Sequence, residues 1–329
     1  MAMIKVGIPR ALLYYQYFPM WKTFFERLGA EVVVSPLTNK AILNSGVTRA
    51  VADTCLPVKI FFGHVISLID NCDCIFIPTV ISQGRKAFNC SKIIGLANMS
   101  RALIPECPVI LAPELNLEKW RYHLYRNIYE LGRYFTSNPL KIREAVKEAW
   151  ESSLAYRSRM SDEGISCIEA IDGVCGGERQ VDSGTDLSPM LTIAVIGHPY
   201  VLYDNYLNHR LISWLQSMRV RTLLPEMVTE RALDVAARRI VGTPHWSFET
   251  DIIGAGEYYL EAGVDGVINL SVFGCGPDSM MLSFVKHRAK ELETPFLHLS
   301  LDEHATEGGL ITRLEAFLDM ITRRMKICV

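Results

Sequence analysis

Residues 267–279 read V-I-N-L-S-V-F-G-C-G-P-D-S. The β-branched, apolar run from Val267 to Val272 predicts a strand. It enters Phe273-Gly274-Cys275-Gly276-Pro277, and Asp278 is placed to cap a helix from Ser279 to Leu292. A strand that hands over to a helix through a glycine-rich turn belongs to a βαβ unit, and repeated βαβ units build a parallel sheet. Downstream, Phe296 to Leu301 reads as the next strand, ending at Asp302-Glu303-His304, and Leu310 to Met325 as a closing helix.

The same alternation extends upstream. Thr192 to Ile196 predicts a strand leading into G-H-P-Y, Tyr206 to Met218 a helix, and Val220 to Leu224 a strand closed by Pro225. Thr229 is a candidate N-cap for Ala232 to Ile240, and Thr250 to Ala262 reads as a further helix. In the first half, Ile4 to Ile8, Val32 to Val34, Cys74 to Ile77 and Val109 to Ala112 are strand patterns. Helix patterns cover Leu12 to Leu28, which Gly29 stops, then Val58 to Ile69, Trp120 to Phe135 and Lys141 to Arg159. Residues 161–189 are rich in glycine and acids and are expected to connect two domains. The expected architecture is α/β. Two doubly wound domains, flavodoxin-like or Rossmann-like, span 1–160 (with a helical extension) and 190–329, with a cleft between them. Ligands of such sheets bind beyond the carboxyl ends of the strands.

The 329 residues carry a net charge of -2 and are 49% hydrophobic, enough for two sizeable cores. The near-zero charge argues against a nucleic-acid partner. No apolar run approaches the roughly 20 residues that span a bilayer, and the start has no signal-peptide pattern, so a cytoplasmic protein is expected. Nine cysteines are many for such a chain, and in a reducing compartment they point to metal or redox chemistry before disulfides.

Three of them stand out. Cys55 in T-C-L-P-V-K, Cys90 in F-N-C-S-K and Cys275 in F-G-C-G-P-D-S each fall in a loop at or just after an apolar run. Thiolates gathered from distant loops are what an iron–sulfur cluster needs. Taken singly, each is also readable as a small buried hydrophobe. Cys72 and Cys74 share one strand face without a second local pair to complete a zinc site, and Cys107 reads as packing. Cys167 and Cys175 flank the connection, and Cys328 is next to the terminus. Around the trio, His198 and Tyr200, and Glu303 and His304, are candidate proton donors or acceptors, against the bland reading of turn and cap residues. Arg10, Lys59 and Lys92 are candidate charges for a cluster or substrate.

The segments G-I-P-R-A-L-L-Y-Y, T-C-L-P-V-K, G-H-P-Y-x-x-Y-D, V-D-G-V-I-N-L-S-V-F-G-C-G-P-D-S and D-E-H-x-x-E-x-G-x-x-T-R-L-E-A-F span nearly the whole chain. They resemble the acyl-CoA dehydratase activase-related proteins, relatives of the 2-hydroxyacyl-CoA dehydratase and benzoyl-CoA reductase subunits. The resemblance implies a [4Fe-4S] cluster on three cysteines, matched here by Cys55, Cys90 and Cys275. One iron would be left for water, a thiol or substrate. It also implies low-potential electrons from a separate ATP-hydrolysing, cluster-containing activase, an anaerobic host, an acyl-CoA or other small substrate, and a homodimer or a heterodimer with a paralogous subunit. Some wider relatives carry a double-cubane [8Fe-9S] cluster, which needs more cysteines. The chain departs from the family after Cys90, where C-S-K-I-I-G-L-A-N replaces a C-P-K-x-x-G-L-P-D-like sequence.

The chain has no G-x-x-x-x-G-K-[ST] loop, and Gly254-Ala255-Gly256 lies inside a helix pattern, so ATP hydrolysis is expected of a partner. A reductase or dehydratase-like component is the first reading. A non-catalytic electron carrier or cluster scaffold is the second; it predicts that acyl-CoAs leave the cluster's spectrum unchanged. The third is a cluster-free α/β small-molecule binder, which tolerates serine at all three cysteines.

Overall fold

The computed structural model describes residues 3–84, 87–119, 121–175 and 189–327. It divides into two units, Met1–Arg179 with His245–Ser247, and Gln180–Pro244 with Phe248–Val329. Each is α/β, as the strand–helix alternation predicts.

In the first unit, β1 (Lys5–Ile8) leads into α1 (Tyr14–Leu28), which Gly29 ends in the left-handed conformation at φ +91°. The aromatic residues of α1 form its buried face: Trp21 and Phe25 meet Phe76 at ring-centroid distances of 4.5 and 5.0 Å. β2 (Glu31–Val34) follows, then α2 (Lys40–Arg49), capped by Asn39, whose side chain accepts from the N–H groups of Ala41 and Ile42. The weak apolar periodicity of α2 hid it from the sequence reading.

α3 (Leu56–Leu68) packs against α2 through two glycines. A Cβ on Gly46 would stand 1.9 Å from Lys59 O, and one on Gly63 2.0 Å from Ile42 O, so only glycine permits this crossing. β3 (Cys74–Phe76) and, further on, β6 (Val109–Leu111) complete a parallel sheet in the order β2-β1-β3-β6. Between and beyond them lie β4 (Thr79–Gly84), β5 (Ala87–Phe88), α4 (Ser91–Ile94), α5 (Leu96–Leu103) and β7 (Glu114–Asn116). The three short strands make a second sheet, β5-β4-β7. Residues 245–247 join this sheet: Phe88 N–H donates to His245 O and Ser247 N–H to Phe88 O. The sequences of β4, β5 and β7, T-V-I-S-Q-G, A-F and E-L-N, hold no sustained apolar run, so the sequence does not announce them as strands.

α6 (Arg121–Arg133) and α7 (Pro139–Glu163) form the helical extension. Pro139, which sequence reading placed between two helices, is the first residue of α7, where a missing N–H costs nothing. α8 (Cys167–Cys175) occupies part of the stretch expected to be connection. It is anchored on the first unit, with Cys167 Sγ 3.2 Å from Tyr15 O. α7 reaches Glu163 at the start of that stretch, and residues 176–188 of it lie outside the described residues.

The second unit repeats the plan. Its elements are β8 (Leu191–Gly197), α9 (Pro199–Leu202), α10 (Leu211–Ser217), β9 (Val220–Leu223), α11 (Glu230–Val241), α12 (Glu249–Glu261), β10 (Gly266–Val272), α13 (Gly276–Glu291), β11 (Phe296–Leu301) and α14 (Glu307–Ile327). The sheet is parallel, in the order β11-β10-β8-β9. All seven residues of β10 are buried, as a central strand covered on both faces requires. Thr229 caps α11 by accepting from Ala232 N–H, as its sequence context predicts. Gly254 and Gly256 serve close packing: a Cβ on them would meet Leu233 O at 2.4 Å and Val285 Cγ1 at 2.7 Å. The helix expected from Tyr206 begins only at Leu211, because Asp204 accepts from the N–H groups of Tyr206 and Leu207 and holds a turn there.

Both parallel sheets therefore have their first strand beside their third, with the second on the other side. The chain reverses its winding between strands one and three, the place where doubly wound sheets bind ligands. In the first unit that point lies at the ends of β1 and β3. In the second it lies at the ends of β8 and β10.

Candidate metal centre

Cys55, Cys90 and Cys275 all occupy helix N-cap positions. Cys55 precedes α3 with φ -63° and ψ 149°, Cys90 precedes α4 with -64° and 153°, and Cys275 precedes α13 with -90° and 105°. Ser, Thr, Asp and Asn dominate this position because their oxygens bind first-turn N–H groups. None of the three cysteine side chains closes its cap in that way. What the position supplies is a place at the start of a helix, and the ends of the longer helices α3 and α13 carry partial positive charge. Pro57 and Pro277, in the first turns of α3 and α13, set the start of each helix. Sequence reading gave the cap of the last of these to Asp278; the structure gives it to Cys275.

In the first unit, Cys55 lies within electrostatic range of Cys90 and Lys92. Burial pushes the Cys55 thiol up; Lys92 and the nearby Val58 N–H pull it down, and Cys90 adds to the rise. Lys92 Nζ donates to Asp53 O at 3.3 Å, which draws the start of α4 toward the loop before Cys55. Lys59 is buried one turn into α3. Arg10, at the end of β1, donates through Nε to Ser35 O at 3.3 Å and lies over the Tyr14 ring at 5.5 Å. An apolar hollow of about 40 Å³, lined by Pro9, Tyr14 and Pro78 among others, has room for water.

In the second unit, His198 follows β8 and Cys275 follows β10, so the winding reversal brings them together. Asp278, in the first turn of α13, joins them: one donor atom from each of the three residues lies within 4.8 Å of the others. His198 and Asp278 are buried, with Nε2 and Oδ1 2.8 Å apart, and Asp278 Oδ2 accepts from Val272 N–H at 3.3 Å. The His198 ring stacks on Tyr200 at 4.8 Å and 13°, and meets the edge of Phe248 at 4.7 Å and 86°. Tyr200 thus shapes the site as a wall. The sequence reading missed Asp278 as a site residue, although its place three residues after Cys275 puts both on one helix face.

Glu303 and His304 are exposed in the turn after β11, where His304 N–H donates to Asp302 Oδ1 at 2.9 Å. Of the remaining described cysteines, Cys74 and Cys167 are buried and Cys72, Cys107 and Cys175 half-buried. Cys72 Sγ donates to Leu68 O at 3.1 Å, and burial pushes Cys72, Cys107 and Cys175 up to about 11 and Cys74 to about 12. Cys328 lies outside the described residues.

Residues 5–228 match the family described as the CoA enzyme activase uncharacterised domain. The chain belongs to that family. Residues 229–321 match the family described as 2-hydroxyglutaryl-CoA dehydratase, D-component. The boundary of the two matches falls at the start of α11, inside the second unit, so His198 comes from one matched region and Cys275 and Asp278 from the other. Both families agree with the dehydratase-related superfamily that the motifs resemble. No curated protein matches the chain. Among the described residues no helix is long and apolar enough to cross a membrane.

Proposed function

We propose that this chain is an iron–sulfur protein in which Cys55, Cys90 and Cys275 hold a [4Fe-4S] cluster. It would act as a reductase or dehydratase-like component that receives low-potential electrons from a separate ATP-hydrolysing activase. The observation that carries the proposal is the shared placement of the three cysteines at helix N-caps. None of the three side chains closes its own cap, and three cysteine sulfurs are a donor set suited to such a cluster. When bound, the cluster would supply one-electron chemistry and an open iron able to act as a Lewis acid on an oxygen.

The chain's own residues have definable tasks in this reading. Lys92 offsets negative charge beside Cys55 and Cys90. Tyr200 and Phe248 wall His198 away from water. Arg10, held by Ser35 at the end of β1, offers a cation to an anionic group at the first unit's winding reversal.

The test is iron and acid-labile sulfide content after strictly anaerobic purification, with EPR of the dithionite-reduced protein. About four irons per chain and a reduced-cluster signal are expected, both lost in the Cys55→Ser/Cys90→Ser/Cys275→Ser variant. A wild-type chain that takes up no iron and sulfide on reconstitution overturns the proposal.

A further inference from the structure

His198 is 3% exposed, and neither of its ring nitrogens has a hydrogen-bond partner among the described residues. A buried imidazole that makes no hydrogen bond is costly, and such a group is one that a bound ligand can satisfy. Nε2 comes within ion-pair distance of Asp278 Oδ1, at 2.8 Å, without the directed geometry of a hydrogen bond. Two polar atoms in contact but not directed at each other are what a pair of donors facing a common third point looks like. Cys275 supplies the third donor, within 4.8 Å of both.

We propose that His198, Cys275 and Asp278 form a mononuclear site for a divalent transition-metal ion, Zn2+ or Fe2+, built by the second unit alone. The donor set decides the class of ion. One thiolate, one imidazole and one carboxylate suit Zn2+ and Fe2+, whereas Mg2+ and Ca2+ prefer oxygen throughout. Three protein donors leave a position for water, the pattern of a catalytic ion and not of a closed structural one. The site is also rigid, with β8 fixing His198, β10 and α13 fixing Cys275, and Val272 N–H orienting Asp278. This proposal goes beyond the cluster reading and shares one thiol with it. The two fillings exclude each other on one chain, so a bound Zn2+ would block cluster assembly at Cys275.

The test uses the Cys55→Ser/Cys90→Ser protein with both units present, which lacks two of the three cluster thiols. After chelator treatment it is titrated with Co2+ alone and followed by absorption. One Co2+ per chain is expected, with a thiolate-to-cobalt charge-transfer band and the intense visible bands of a low-coordinate site. Adding Cys275→Ser removes the charge-transfer band. Adding His198→Ala or the near-isosteric Asp278→Asn weakens binding by about tenfold or more, the least that loss of a supporting group usually costs a metal site. Circular dichroism of each variant confirms that it is folded. Two results overturn the proposal: no Co2+ bound, or binding unchanged by both His198→Ala and Asp278→Asn. A wild-type chain without iron and sulfide sinks the cluster reading and leaves this test untouched.

Discussion

Gly46 and Gly63 bring α2 and α3 into backbone contact: a Cβ on Gly46 would stand 2.8 Å from Gly63 N. The crossing fixes α3, and α3 carries Cys55 at its N-cap. Gly63→Ala forces the added methyl against Ile42 O at 2.0 Å, a backbone atom that cannot swing away. We expect a loss of about 1–3 kcal/mol in urea unfolding together with reduced iron incorporation. Stability within experimental error of the wild type would show that the helices separate freely.

Lys92 opposes the rise that burial imposes on the Cys55 thiol. Replacing it by methionine removes the cation and keeps most of the volume. The Cys55 pKa then rises, the thiolate fraction falls at every pH below it, and the iodoacetamide alkylation profile of Cys55 in the cluster-free protein moves to higher pH. An unmoved profile would mean that Lys92 is too well solvated to act on the thiol.

Glu226 is pushed up from 4.5 to about 7, first by burial, although Tyr203 donates to it at 2.9 Å. Its folded value lies above its unfolded one, so the native state holds the proton more tightly. Stability is favoured by this group below about 4.5 and declines as pH rises toward about 7, by on the order of 3 kcal/mol. Glu226→Gln removes that slope. Urea unfolding from pH 5 to 8 is therefore expected to show the glutamine variant gaining on the wild type as pH rises; parallel curves would contradict the assignment.

Cys72 donates to Leu68 O, and burial holds both it and Cys107 protonated at neutral pH. Cys72→Ser and Cys107→Ser are expected to keep wild-type iron and sulfide content. Their cost should appear only as about 1 kcal/mol of stability. Iron loss in either variant at unchanged stability would move it into the ligand set and revive the double-cubane alternative.

Much of the fold was legible in the strands. The run Val267 to Val272 is apolar throughout because β10 is covered on both faces, and burial of that kind writes itself into composition. Gly29 and Thr229 were readable because their roles depend on the local backbone alone. α2 and the sheet β5-β4-β7 were not: the helix buries little, and the strands T-V-I-S-Q-G, A-F and E-L-N lack a sustained apolar run. Cys55, Cys90 and Cys275 were singled out from loop context and resemblance. Their common N-cap geometry was visible only once the helices had boundaries.

The sequence by itself determined the α/β alternation, the reactive side chains and the family, because periodicity, residue type and motif are local properties. Tertiary structure alone decided that His198 and Asp278 would meet Cys275. His198 is 77 residues before Cys275, and the two are joined only because β8 pairs with β10 at the reversal of winding. Strand order is set by packing over the whole sheet, and no local stretch of sequence encodes it.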